Sequence, residues 1–128
     1  MSVISKSLDF IKNHLSQQKS DLPFVVGFSG PQGSGKTYCS EAIVSQLNSA
    51  GIKWVKFSMA DLYLTYQDQL EITKKALQDD NELLQGRGLP GTHDLKLCLQ
   101  ILHDLKHFSG PVSIPIYDKS AYSGKGDR

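Results

Sequence analysis

One stretch limits what this chain can fold into: Phe24-Val25-Val26-Gly27-Phe28-Ser29-Gly30-Pro31-Gln32-Gly33-Ser34-Gly35-Lys36-Thr37. The apolar run predicts a strand over 24–28. A glycine-rich turn follows, and Ala42, Ile43, Val44 and Leu47 then recur at helical spacing. Gly30, Gly35, Lys36 and Thr37 stand at the fixed positions of G-x-x-x-x-G-K-[ST], with Pro31, Gln32, Gly33 and Ser34 between them. Glycines let successive N–H groups turn inward around an anion, and a helix opening near Lys36 adds the positive end of its dipole. In such a loop Lys36 reaches the β- and γ-phosphates of a nucleotide as a point charge, and the Thr37 hydroxyl sits on Mg²⁺.

The rest of the chain builds out from this loop. Ile4, Leu8, Ile11 and Leu15 predict a leading amphipathic helix over 2–19, closed by Ser20-Asp21-Leu22-Pro23. The helix after the loop runs to about Ala50 and stops at Gly51. Ile52-Lys53-Trp54-Val55-Lys56-Phe57-Ser58-Met59 predicts a second strand, and the spacing suits a parallel pair joined by a right-handed crossover. Polar residues at 66–78 predict a solvated helix, Leu95, Leu99 and Leu102 a further helix over 95–107, and Ser109-Gly110-Pro111 its break. Val112-Ser113-Ile114-Pro115-Ile116 reads as an edge strand or a loop, because proline cannot donate to a ladder. The fold class expected is α/β, a three-layer parallel sheet, in one domain: residues 1–22 as a leading helix and 23–128 as a nucleotide-binding and acceptor-side half.

With 128 residues and a formal net charge of +1, the chain is the size of one small domain and gives no reason to expect nucleic acid or a membrane as partner. No apolar run is long enough to span a bilayer, and the first residues have no signal-peptide core. Cys39 and Cys98 suggest buried thiols in a reducing, cytoplasmic setting rather than a disulfide framework.

Two further stretches have chemical content. Asp61 follows the second predicted strand, where open parallel sheets bind ligands. It is a candidate general base or a contact to Mg²⁺ or water, or else the cap of the next helix. Gln85-Gly86-Arg87-Gly88-Leu89-Pro90-Gly91-Thr92-His93-Asp94 is too rich in glycine for regular structure. It leaves Arg87 free for an anion, or it is a plain loop between helices. His103 and His107 are four apart, but no third metal ligand accompanies them, so they read as surface histidines.

Together these segments resemble the D-glycerate 3-kinase family. The resemblance rests on the loop 30–37, Asp61-Leu62-Tyr63-Leu64-Thr65, Gly86-Arg87-Gly88-Leu89-Pro90-Gly91-Thr92-His93-Asp94 and Pro115-Ile116-Tyr117-Asp118-Lys119-Ser120. It implies a P-loop kinase, related to uridine and pantothenate kinases, that transfers the γ-phosphoryl of ATP, with Mg²⁺, to a hydroxyl of a small glycerate-like acceptor. Lys36 and Asp61 would be catalytic. His93, Asp94, Tyr117 and Asp118 would line the acceptor side, and Arg87, Lys119 and Arg128 are its cations by charge. The family shows two acids at the end of the second strand, and the first is Ala60 here. The family also has a later strand with a metal-binding acid and a basic lid, so these residues are expected to be an N-terminal half. A nucleotide-binding relative without turnover is the alternative. A GTPase or a mechanical ATPase fits less well, since no N-K-x-D motif is present.

Overall fold

In the computed structural model, which describes residues 2–107 and 110–128, the chain divides into two compact units, Met1–Lys56 and Phe57–Arg128.

The first unit is a helix pair with parts of two non-helical segments packed against it. Helix α1, Val3–Gln17, starts at Ser2, whose hydroxyl accepts the Ser5 N–H at 3.1 Å. Helix α2, Lys36–Ser49, starts at Gly35, which offers no side-chain cap. Leu8 and Ile11 of α1 meet Ile43 and Leu47 of α2, and Ile4, Val26, Ile52 and Trp54 pack around them. The C-terminus of α2 is closed by Gly51 N–H to Asn48 C=O and Ile52 N–H to Leu47 C=O, both at 3.0 Å, with Gly51 left-handed at φ 81°. The Asn48 side chain then seizes the next segment: its Oδ1 accepts Trp54 N–H at 2.8 Å and its Nδ2 donates to Trp54 C=O at 3.3 Å.

The second unit is loop-rich. A 3₁₀ turn, Met59–Leu62, precedes helix α3, Tyr66–Gln78; a second, Glu82–Leu84, precedes the glycine-rich loop and helix α4, Leu95–His107. Among the described residues its buried ones are Leu62, Ala76, Thr92, Ile101, Tyr117 and Gly126. The four helices fall where the sequence periodicity puts them. The helix break expected at Ser109 lies outside the described residues.

The parallel sheet expected from the sequence is not formed among the described residues. The runs 24–28, 52–58 and 112–116 form no ladder. A strand is defined by the neighbour that satisfies its N–H and C=O groups, and an apolar run supplies only the propensity. In the first unit Val26, Ile52 and Trp54 pack half-buried against the helix pair, Phe24 lies edge-on to Trp54 at 6.5 Å, and Val25, Phe28 and Val55 stay exposed. The second run also ends earlier than expected, because Met59 already belongs to the 3₁₀ turn. What pairing there is consists of two isolated antiparallel bridges, Tyr63 with His93 and Asp118 with Asp127.

Candidate phosphate loop and acceptor-side cluster

The loop at 30–37 is built around one carbonyl. Pro31 C=O accepts Ser34 N–H at 3.2 Å, Ser34 Oγ–H at 2.6 Å and the Lys36 ammonium at 2.7 Å. A carbonyl has two lone pairs, so three donors share two acceptor positions there. Gly33 and Gly35 are left-handed, at φ 77° and 82°. A side chain at Gly30 would press on Ser34 Oγ at 3.0 Å.

The N–H groups of Gly33, Gly35, Lys36, Thr37 and Tyr38 have no acceptor among the described residues. The first bond of α2 is Cys39 N–H to Gly35 C=O at 2.9 Å. The amides at the start of a 14-residue helix therefore stand open beside an ammonium group and the exposed Thr37. Such a donor set can hold a polyphosphate, and a hydroxyl one residue after the lysine suits a hard cation on the same phosphates.

Asp61 is fully engaged. Its Oδ2 accepts Ser58 N–H at 3.2 Å, while Ser58 Oγ accepts Ala60 N–H at 3.1 Å, a reciprocal capping box. Its Oδ1 accepts Tyr117 N–H at 3.1 Å. One carboxylate thus ties the turn at 59–62 to residue 117. Ala60 beside it contributes only a methyl group.

Around Tyr117 the structure gathers most of the residues expected at the acceptor. His93 stacks on Tyr63 with ring centroids 4.6 Å apart, and Tyr63 meets the Tyr117 ring edge-on at 5.2 Å. Asp94 caps α4 by accepting Leu97 N–H at 2.9 Å and pairs with Arg128 Nη2 at 2.7 Å; Arg128 Nε donates to Tyr63 C=O at 2.9 Å. Arg87 lies over the Tyr117 ring at 5.5 Å and clamps Gly124 C=O and Lys125 C=O at 2.9 and 2.8 Å. Asp118 sits outside this cluster on an exposed turn. There the Ser120 hydroxyl and then the Ser120 N–H donate to it and hold its carboxyl below the usual range. Lys119 is exposed and has no partner among the described residues. Of the three cations expected to meet an acceptor carboxylate, then, Arg128 is already neutralised, Arg87 is partly committed to carbonyls and Lys119 is uncommitted.

Sequence reasoning gave no site role to Tyr63, Thr92 or Gly126. Thr92 is fully buried, donating to Leu89 C=O at 2.7 Å and accepting Gly88 N–H at 3.0 Å, and so sets the course of the glycine-rich loop. Gly126 lies against the Tyr117 ring so closely that any Cβ there would overlap it. Only the aromatic at 63, directly after the Asp61-Leu62 pair, gave a signal in the sequence.

Comparisons with known proteins point to kinases. The chain is 40% identical over 127 residues to mug58, an uncharacterized kinase of Schizosaccharomyces pombe, covering 98% of this chain and 44% of the relative. It is 42% identical over 109 residues to the chloroplastic D-glycerate 3-kinase of Arabidopsis thaliana, covering 83% of this chain and 24% of the relative. The solved D-glycerate 3-kinase from Cryptococcus neoformans superposes with a TM-score of 0.85 at 34% identity, over 100% of this chain and 46% of that one. The chain thus spans about half the length, or less, of the relatives it matches. No family model matches it.

Proposed function

We propose, from the premise that this chain belongs to the D-glycerate 3-kinase family, that it is the nucleotide-binding part of an ATP-dependent kinase acting on a hydroxyl of a small, glycerate-like acceptor. The observation that carries this reading is the open donor set of the loop: five unpartnered amides, Lys36 and Thr37. The amides cradle the phosphates of ATP. Lys36 exchanges the crowded Pro31 carbonyl for phosphate oxygens and stabilises charge there as the γ-phosphoryl is transferred. Mg²⁺, held by the Thr37 hydroxyl, supplies further charge neutralisation when bound. On the acceptor side His93, Asp94, Tyr117, Asp118 and Lys119 contact the small molecule, with Lys119 the cation for its carboxylate. Arg87 and Arg128 brace the backbone behind them. The two free cysteines suit a reducing, cytosolic compartment.

Two measurements test this. Mg·ATP raises the melting temperature of the chain, and Lys36→Ala removes the rise; no shift at saturating nucleotide overturns the reading. ADP release, followed over a panel of hydroxy acids and sugars in a chain of the relatives' length, tests the acceptor. It depends on D-glycerate if that assignment holds.

A second reading, nucleotide binding without turnover, is favoured by the state of residues 60 and 61. Ala60 cannot take a proton, and both oxygens of Asp61 are held by backbone N–H groups. For Asp61 to act as the base it must give up one of these bonds. Turnover gained only on Ala60→Asp supports this second reading; turnover in the unaltered chain removes it.

A further inference from the structure

Helix α4 ends on a pair of histidines. His103 and His107 are one turn apart and both exposed, and their ring centroids stand 4.6 Å apart at an interplanar angle of 44°. A spacing of four residues only puts two side chains on one helix face. The distance shows that the two rings have closed on each other. The pair lies at the far end of α4 from Asp94 and shares no residue with the phosphate loop or with the cluster around Tyr117.

Asp104 decides which nitrogen of His103 is free. Its Oδ1 lies 3.4 Å from His103 Nδ1 and also accepts Gln100 Nε2–H at 2.8 Å. An ionised carboxylate can only accept, so Nδ1 carries the ring proton and Nε2 keeps its lone pair. The Asp104 side chain is 18% exposed against 61% for His103, so the carboxylate sits on the protein side of the ring. A carboxylate behind a histidine is the arrangement that orients imidazole ligands in metal sites and raises their basicity.

The spacing of the rings suits one shared cation. With each ring nitrogen about 2.1 Å from a metal ion, two imidazole centroids stand about 4.5–5 Å apart at bond angles between square and tetrahedral. The 4.6 Å between His103 and His107 lies in that range. Imidazole nitrogen favours transition cations over Mg²⁺ and Ca²⁺, which take oxygen ligands. No group of three or more His, Cys, Asp and Glu side chains suited to a metal forms among the described residues, so the protein supplies two nitrogens and the other positions on the cation are open to water.

We propose that His103 and His107 form a two-nitrogen chelate for a divalent transition cation such as Ni²⁺ or Zn²⁺, with Asp104 as the positioning residue behind His103. The cation is held by Nε2 of His103 and a ring nitrogen of His107, while the Nδ1 proton of His103 stays on Asp104. The inference is independent of the kinase reading, since it uses no residue of the loop 30–37 or of the acceptor-side cluster.

The test follows the backbone amides of the whole chain by NMR as NiCl₂ is added. Paramagnetic Ni²⁺ is expected to broaden the amides of Gln100 to His107 first and in a saturable way. Zn²⁺ reverses the broadening, and an excess of Mg²⁺ does not. His103→Ala and His107→Ala each leave one imidazole and weaken Ni²⁺ about tenfold or more. Both side chains are exposed, so these variants keep the fold; His107→Gln serves if the alanine change at the helix end disturbs it. Asp104→Asn weakens Ni²⁺ several-fold and lets the proton of His103 move between its nitrogens, which the ring nitrogen shifts report. The proposal is overturned if millimolar Ni²⁺ broadens no amide of α4, or if the broadening centres on His14, Cys39, His93 or Cys98. It is also overturned if Mg²⁺ displaces Ni²⁺ or if the single-histidine variants bind as the parent does. An Asp104→Asn variant with unchanged affinity and an unchanged tautomer removes the positioning role.

Discussion

Arg128 and Asp94, 34 residues apart in sequence, meet at 2.7 Å with both side chains largely withdrawn from solvent. Asp94 uses its other oxygen to cap α4, and Arg128 uses Nε to hold the carbonyl of Tyr63. The pair therefore joins a helix start, the aromatic cluster and the last residue of the chain.

Splitting the two duties of Asp94 gives a first prediction. Asp94→Asn keeps an acceptor for Leu97 N–H and loses only the ion pair. Asp94→Ala loses both and costs about 1 kcal/mol more, the usual worth of an N-cap. Arg128→Met leaves the Asp94 carboxylate without its partner and costs about 1–3 kcal/mol. Urea unfolding of the three variants checks the order: arginine and asparagine changes milder than Asp94→Ala, with unchanged slopes.

Gly126 should be nearly irreplaceable. It is left-handed at φ 90°, and any side chain there overlaps the ring of Tyr117, whose hydroxyl bonds to Lys125 C=O at 3.2 Å. Gly126→Ala is expected to cost about 1–3 kcal/mol from backbone strain alone, with more from the overlap. Gly27→Ala meets nothing within 4 Å and serves as the mild control. Thermal unfolding of the two, followed by near-ultraviolet dichroism of the tyrosine cluster, compares them directly.

The Asp118 turn should weaken in acid. Its carboxyl titrates below the ordinary value of 3.8 because the Ser120 hydroxyl and N–H favour the charged form. A group with a depressed folded-state value adds stability above its unfolded value and loses it as the pH falls through the folded one. The loss therefore begins near 3.8 and continues below it. Ser120→Ala removes the leading donor, so the Asp118 carboxyl should titrate closer to 3.8. Carboxyl carbon shifts followed by NMR titration measure this, and an unchanged titration in Ser120→Ala would refute it.

The loop prediction concerns release of Lys36. Lys36→Ala and Thr37→Ala should fold as the parent does, since neither side chain is buried and Lys36 bonds only to an already crowded carbonyl. Nucleotide affinity should fall by roughly 1.5–3 kcal/mol for Lys36→Ala, the worth of a charge-assisted hydrogen bond. The Thr37→Ala loss should appear with Mg·ATP and shrink when the metal is chelated. Calorimetric titration with and without Mg²⁺ reads both.

How much of this was legible beforehand depends on whether a feature is local. The helices at 3–17, 36–49, 66–78 and 95–107 follow from periodicity and caps within a few residues of each other. The loop at 30–37 follows from glycine positions and one lysine, since a phosphate cradle is made of consecutive backbone amides. Apolar runs at 24–28 and 52–58 were equally visible, but a ladder needs a partner that no short stretch can specify, and these runs remain unpaired. The role of Asp61 was open for the same reason. Its spacing from Ser58 marks a capping box, while its bond to Tyr117 N–H joins residues 56 apart.

By itself, then, the sequence determined the helix positions, the glycine-and-lysine turn at 30–37 and the likeness to kinases, because each rests on residue types at short fixed spacing. Only the tertiary structure decided which charges are available. Arg87, Lys119 and Arg128 are alike as cations in a sequence. Folding gives Arg128 a carboxylate, fixes Arg87 against two carbonyls and a ring, and leaves Lys119 exposed. The physical reason is that a charge acts through what lies within a few ångströms of it, and those neighbours come from distant parts of the chain.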